Sequence, residues 1–172
     1  MSGHSELVTR AQEGDPVAFG CLVENQWTSL VRLARSVVGE AEAEDVVQEG
    51  LERAWRKLQG LREPAALGSW LSRIVLRVCF KHLRRRPGEL VSLEVVPEPA
   101  HEPNPGPELD VGRLLAALPP RQRAVMHLTV IEGMTDSEIA PILGITAGSV
   151  RAHRRRARQG LEQRVSRKGG NT

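Results

Sequence analysis

Aromatic side chains are scarce in this chain of 172 residues: three Trp, two Phe and no Tyr. Any stacking surface for a base must therefore rest on very few rings. Cysteine is as rare. Cys21 and Cys79 share no metal-type spacing with each other or with a His. Two isolated thiols exclude a disulfide framework and read as reduced core thiols of a cytosolic protein. No signal-peptide pattern and no apolar run long enough to span a membrane is present, so the chain is expected to act in the cytoplasm without membrane insertion. His4, His82, His101, His127 and His153 are scattered, with no carboxylate or Cys at ligand or triad spacing. A Gly-rich phosphate loop is also missing. These absences argue against an enzyme, a metal and any other cofactor.

Charge of one sign is missing from two stretches. Between Pro87 and Gly112 there is no Lys or Arg, while Glu89, Glu94, Glu98, Glu102, Glu108 and Asp110 all fall there. Between Thr146 and Leu161 there is no acid, but Arg151, Arg154, Arg155, Arg156 and Arg158 are present. A second basic cluster is Lys81, Arg84, Arg85 and Arg86. Net charge is only +3, so segregation of charge, more than its total, implies basic faces for a polyanion.

What is present is helical periodicity. Ser5 caps a short helix with Leu7, Val8 and Ala11. Asp15-Pro16 opens a longer one with Phe19, Leu22, Val23, Leu30, Leu33, Ala34 and Val37, which Gly39 ends. Val47, Leu51, Ala54, Trp55 and Leu58 predict a helix from about Ala43, with Glu42, Glu44, Asp45 and Glu49 near its positive end. Gly50 is a weak spot there, costing about 1 kcal/mol against Ala. Residues 59–68 read as a loop. A helix from Ser69 to about Arg85 follows, with Trp70, Leu71, Ile74, Val75, Val78 and His82 as its buried face. Arg73, Arg77, Lys81, Arg84 and Arg85 fall mostly on its other side. On this reading Trp70 is core, leaving little capacity to hold unstacked bases. Pro97, Pro99, Pro103, Pro105 and Pro107 then mark a flexible acidic linker and a domain boundary.

Beyond the linker, Val111, Leu114, Leu115 and Leu118 begin a second helical domain, and Pro119-Pro120 lead into a helix with Val125, Met126, Leu128 and Val130. Thr135 and Glu138 form a capping box for a short helix with Ile139, Ala140 and Leu143. Gly144 stops that helix, Ile145 plugs the turn, and Thr146 caps a second helix with Val150, Ala157 and Leu161 inward. Its outer side would carry Arg151, His153, Arg155, Arg156 and Arg158. This is a helix-turn-helix whose second helix suits a DNA major groove. Pro141 should kink or loosen the first of the two helices. The tail from Lys168 should fray. Neither a strand pattern nor an internal repeat is found. The expected fold is all-α: two small helical domains, 1–87 and 108–172, joined by a Pro-rich linker at 88–107.

Three stretches carry a resemblance: AEDVVQEGLERAW (43–55), SWLSRI with HLRRR (69–74, 82–86), and LPPRQRAVMHLTVIEGMTDSEIAPILGITAGSVRAHRRRAR (118–158). In this order they resemble regions 2 and 4 of the extracytoplasmic-function (group IV) sigma factors of bacterial RNA polymerase. The resemblance implies promoter-specific initiation with core polymerase, control by an anti-sigma factor, and contacts to the clamp helices of the largest subunit and the flap of the second-largest. It assigns polymerase docking to Asp45, Gln48, Glu49, Arg53 and Trp55. The −10 element falls to Leu61, Arg62, Ser69, Trp70, Arg73, Arg77, Lys81, Arg84 and Arg85. The −35 element falls to Thr146, Ser149, Arg151, Ala152, Arg154, Arg155 and Arg158.

Two departures stand out. Val75-Leu76-Arg77 replaces the family's frequent Ala-x-Asn, so the usual amide contact to a −10 base is replaced by a guanidinium. Arg154 takes a position that is usually apolar, from which it could snorkel or reach DNA. A dimeric helix-turn-helix repressor would account equally well for residues 118–158. It would not account for the acidic helix start at 43–49 or the Lys81–Arg86 cluster.

Overall fold

A computed structural model of the chain describes residues 2–85 and 115–169. Every regular element among them is helical, as the all-α reading expects. The chain divides into two compact units, Met1–His82 and Leu83–Thr172. Arg86, the Pro-rich stretch 88–107, Val111, Leu114 and residues 170–172 lie outside the described residues.

The first unit opens with α1 (Ser2–Gln12) and α2 (Pro16–Val38). Asp15 caps α2: its Oδ1 accepts from the Val17 and Ala18 N–H groups at 2.9 and 3.2 Å, with Pro16 at the first helical position. Its Oδ2 takes Nε and Nη2 of Arg10 at 3.0 and 2.6 Å. Gly39, at φ +96°, ends α2. No spacer follows, and α3 runs Glu40–Lys57, three residues earlier than the apolar pattern predicts. Glu40 and Glu42 occupy its first turn, where the helix dipole favours carboxylates.

Residues 58–66 are more ordered than the expected loop. They form two 3-10 turns, Leu58–Gly60 and Pro64–Ala66, and α4 then runs Leu67–Arg84. Val8, Leu22, Leu30, Leu33, Val37, Val47, Ala54, Leu58, Leu71, Val75 and Val78 form the core. Cys79 joins it, and burial pushes its thiol up to about 12, which leaves it unreactive. Cys21 does not join it. It is exposed, because it lies on the face of α2 turned away from the Ala18–Leu22 stripe.

Gly50 proves to be a packing position. A Cβ there would stand 2.8 Å from Cγ2 and 3.3 Å from Cα of Val75. The missing side chain lets α3 and α4 approach closely, which offsets the propensity cost.

The second unit contains α5 (Pro120–Val130), α6 (Asp136–Leu143) and α7 (Ala147–Gly169). Ala124, Val125, Leu128, Ile139, Val150 and Ala157 are its sealed centre. Helix α6 continues through Pro141 to Leu143, and Ile142 beyond the proline is buried. An eight-residue helix has few internal bonds, and Pro141 removes only one of them.

Two stability predictions follow from this packing. Gly50→Ala should destabilise the first unit by about 1–3 kcal/mol through overpacking, despite the helix propensity gained. Chemical denaturation followed by circular dichroism measures this, and a stabilised variant would contradict the close approach.

The second prediction concerns Asp15. Its hydrogen bonds from the Arg10 side chain and the Ala18 N–H hold its carboxyl below the ordinary 3.8. A depressed folded pKa gives stability that is fully present above the unfolded value and lost as pH falls through the folded one. The stability difference between the native chain and Asp15→Asn should therefore hold above the ordinary value of 3.8 and shrink as pH falls below it. A gap that stays constant to the acid end would exclude this linkage.

Candidate nucleic-acid interface

The first unit holds a cleft of about 460 Å³ between the end of α3, the turn after it and the start of α4. Arg53, Arg56 and Lys57 line it from α3. Gln59 and Gly60 line it from the turn, and Trp70, Arg73, Ile74 and Arg77 from α4. Five cations and one indole therefore share a single concavity, and no carboxylate is among the lining residues.

Trp70 is half-buried and sits on the basic margin of α4, not in the core. Helical drift is the reason. Each i+4 step turns about 40° past one full rotation, so Trp70, Ile74 and Val78 drift from the basic margin of the helix into its sealed face. Val78 is sealed and Trp70 lies at the other margin. The spacing that matters is Trp70, Arg73, Arg77, Lys81 and Arg84, a single line along the helix. Arg77 and Arg84 are exposed, and Arg73 and Lys81 are half-exposed. Arg85 is exposed just past the helix end.

The turn that floors this cleft is held from a distance. Gln12 of α1 donates its amide to the Leu58 and Leu61 carbonyls at 3.0 and 2.8 Å. Leu61 itself is buried at 6% exposure, so its side chain anchors the turn and offers no face to a DNA strand. Arg62 is exposed. Ser69 donates to the Ala66 carbonyl at 3.0 Å and so closes the turn before α4.

On α3, Asp45, Gln48 and Glu49 are exposed and form one stripe with Glu52. Glu49 is ion-paired with Arg53, and Glu52 with Arg56. Arg53 thus belongs to both the stripe and the cleft. Trp55 lies on the opposite margin of α3 and packs on Phe19, with ring centroids 5.0 Å apart and planes tilted by 53°.

In the second unit the helix-turn-helix is closed at each joint. The Thr135 N–H meets Glu138 Oε2 at 2.8 Å, and the Glu138 N–H meets Thr135 Oγ1 at 3.4 Å. The first of these bonds, with the Thr135 hydroxyl, holds the Glu138 carboxyl below its ordinary value. Gly144 is left-handed at φ +67°, and the Ile145 N–H returns to the Ala140 carbonyl at 3.1 Å. Thr146 caps α7 through the Ser149 N–H at 3.1 Å and touches its hydroxyl at 3.0 Å. Arg151, Arg155, Arg156 and Arg158 are exposed, and Ala152 and Ser149 are half-exposed.

His153 departs from the expected outer face and is buried. It stands three after Val150 and four before Ala157, the two sealed positions of α7. Arg154 does not project outward either. Its Nη1 and Nη2 clasp Oδ1 and Oδ2 of Asp136 at 2.5 and 3.2 Å.

Several participants were not legible in the sequence: Gln12, Arg56, Lys57, Gln59 and Asp136. Only the i,i+4 pair Glu52–Arg56 carries a local signal that could have drawn attention to one of them.

Comparison with known proteins follows the same division. The family model for Sigma-70 region 2 matches residues 22–87, and that for Sigma-70, region 4 matches residues 108–161. The chain is 32% identical over 161 residues to the ECF RNA polymerase sigma factor SigM of Mycobacterium tuberculosis, covering 92% of this chain and 82% of that one. Identity to the ECF RNA polymerase sigma factor SigE of Mycolicibacterium smegmatis is 33% over 164 residues, covering 88% of this chain but only 63% of the relative. Among solved structures, the sigma factor RpoE in complex with the anti-sigma factor NepR, from Bartonella quintana, is similar at a TM-score of 0.68 and 27% identity, covering 86% of this chain and 96% of that one. On these grounds the chain belongs to the extracytoplasmic-function sigma factors of bacterial RNA polymerase.

Proposed function

We propose that this sigma factor binds core polymerase and starts transcription at promoters whose −10 and −35 elements are read by its first and second domains. The domains span 1–87 and 108–172, and residues 88–107 tether them. The observation that carries the reading is the Trp70 cleft. Nonspecific grip on an opened strand needs cations along the phosphates and an aromatic face for a base. The cleft and the Arg73–Arg77–Lys81–Arg84 line supply both. Arg62, Ser69 and Arg85 lie at its two ends in the chain.

The −35 reading rests on the acid-free outer face of α7. Arg151 and Arg155 read bases there, Ala152, Ser149 and Thr146 approach the backbone, and Arg158 meets phosphate. The exposed Asp45–Gln48–Glu49 stripe supports docking on a basic helical partner surface, the clamp helices of the largest subunit, with Arg53 and Trp55 at its margins. Val130 and Ile131, 64% and 50% exposed at the end of α5, support an apolar contact to the flap of the second-largest subunit. The RpoE relative, bound to NepR, supports an anti-sigma factor as regulator. Among the described residues no helix is long and apolar enough to cross a membrane, in keeping with action in the cytoplasm.

Run-off transcription with core polymerase over a library of upstream sequences tests the reading. Tight, specific binding of the chain alone to duplex promoter DNA would favour a repressor instead. In this assay Trp70→Ala should lower initiation roughly 5- to 150-fold, the equivalent of ~1–3 kcal/mol of lost stacking, while Trp70→Phe retains most output. A template already opened across the −10 element should narrow the loss. An equal loss on opened and closed templates would remove Trp70 from melting.

Asp45→Ala with Glu49→Ala should weaken core binding about tenfold and leave the fold intact, because exposed charges contribute only some tenths of a kcal/mol to stability. A pull-down with unchanged retention of core would sink the docking assignment.

A further inference from the structure

Asp136 is an unusual neighbour for a DNA-reading helix. It is the first residue of α6, its side chain is only 19% exposed, and two guanidinium groups of α7 converge on it. Arg154 takes both carboxylate oxygens in a fork. Arg151 approaches the same carboxylate from the outer side, its Nε 3.9 Å from Oδ2, while its side chain stays 67% exposed. Arg154 is half-buried, so a directed ion pair joins the two helices beside the sealed Ile139 and Val150.

The proximity of Arg151 to this carboxylate is the informative feature. A guanidinium has five N–H donors in a rigid plane. When Nε lies nearest a carboxylate, one terminal N–H shares that side, and the end-on edge, with one N–H from each terminal nitrogen, stays free to donate side by side to O6 and N7 of guanine. A flexible Arg spends rotamer entropy to reach that geometry, whereas one already steered by a fixed carboxylate spends less. The carboxylate is fixed in turn, because Arg154 holds both of its oxygens and the N-terminus of α6 stabilises its charge.

We propose that Asp136 is a specificity-determining residue for the −35 element, orienting Arg151 for bidentate reading of a guanine, and that Arg154 is the positioning residue that holds Asp136. This deepens the −35 reading above and rests on it. The chain Arg154–Asp136–Arg151 crosses from the first to the second helix of the motif, so the angle between those helices and the aim of the reading side chain are set by the same carboxylate. The pairing also keeps Asp136 from repelling phosphates, since two cations neutralise it.

The test is transcription by core polymerase with the full-length chain on promoters randomised across the −35 element. The readout is the ratio of output from preferred to non-preferred bases at each position. Arg151→Ala should abolish a guanine preference of about tenfold at one position. If it shifts no preference, the −35 reading of Arg151 itself fails. If it does, Asp136→Asn should reduce the preference at that same position about threefold, with output on non-preferred sequences unchanged or raised. Loss of the ion pair could also loosen the motif, so Asp136→Asn with Arg154→Leu is compared with it. That pair places an apolar side chain at 154 and leaves no unpaired charge, and thermal melting monitors the fold. The double variant should fold and still show the flattened preference. Full recovery of the preference would mean that Asp136 is a clamp only and would overturn the orienting role. An equal fall on all sequences with Asp136→Asn would overturn it too.

Discussion

The approach of α3 to α4 at Gly50 and Val75 governs the first unit. With a Cβ position only 2.8 Å from Cγ2 of Val75, the two helices sit closer than any side chain at residue 50 would allow. One turn further along α3 stands Arg53, and one turn earlier on α4 stands Leu71, with Trp70 beside it. The contact therefore sets how far apart the two walls of the basic cleft can be. Interiors packed to crystal-like density transmit such a constraint with little give, so a small residue in the core decides the width of a surface feature. Gln12 adds the floor by binding the turn between the walls through two carbonyls.

Electrostatics then divides the surfaces this packing creates. The acids of α3 gather at its first turns and along one stripe, where they serve the helix dipole and remain exposed. The cations gather at its far end and along α4. Arg53 and Arg56 mark the seam between the two regions, each paired to an acid one turn back. Exposed pairs of this kind contribute little stability. Their effect is to hold guanidinium groups along the cleft wall. A net charge of +3 therefore conceals a surface strongly polarised in sign, which suits a protein that must meet both a protein partner and a polyanion.

In the second unit the sealed apolar centre is framed by joints: a capping box at Thr135–Glu138, a left-handed Gly144, a cap at Thr146 and the Asp136–Arg154 fork. Each joint satisfies backbone or charged groups that a short helix leaves open. Pro141 is tolerated in this setting because α6 is held at both ends and packed through Ile139, Ala140 and Ile142.

Much of this was legible in the order of residues. Local rules act over three or four positions, so the caps at Asp15, Thr135 and Thr146, the stops at Gly39 and Gly144 and the helical class could all be read directly. The acid-free stretch after Thr146 and the Arg line of α4 were equally plain. Trp70 stands near the margin between the apolar and polar faces of its helix, and Cys21 lies beyond such a margin, whereas His153 sits on the sealed stripe between Val150 and Ala157 and was misplaced by its polarity. Periodicity locates a stripe but not the edge where a neighbouring helix stops covering it. Leu61 and Arg154 depended on partners 49 and 18 positions away, Gln12 and Asp136. Gly50 looked like a local cost until its distance to Val75 was known. Helix ends, helix faces and charge segregation are properties of a single element and follow from the chain alone. Which marginal side chain is covered, which Arg is paired and how wide the cleft opens are properties of two elements in contact, and only tertiary packing decides them.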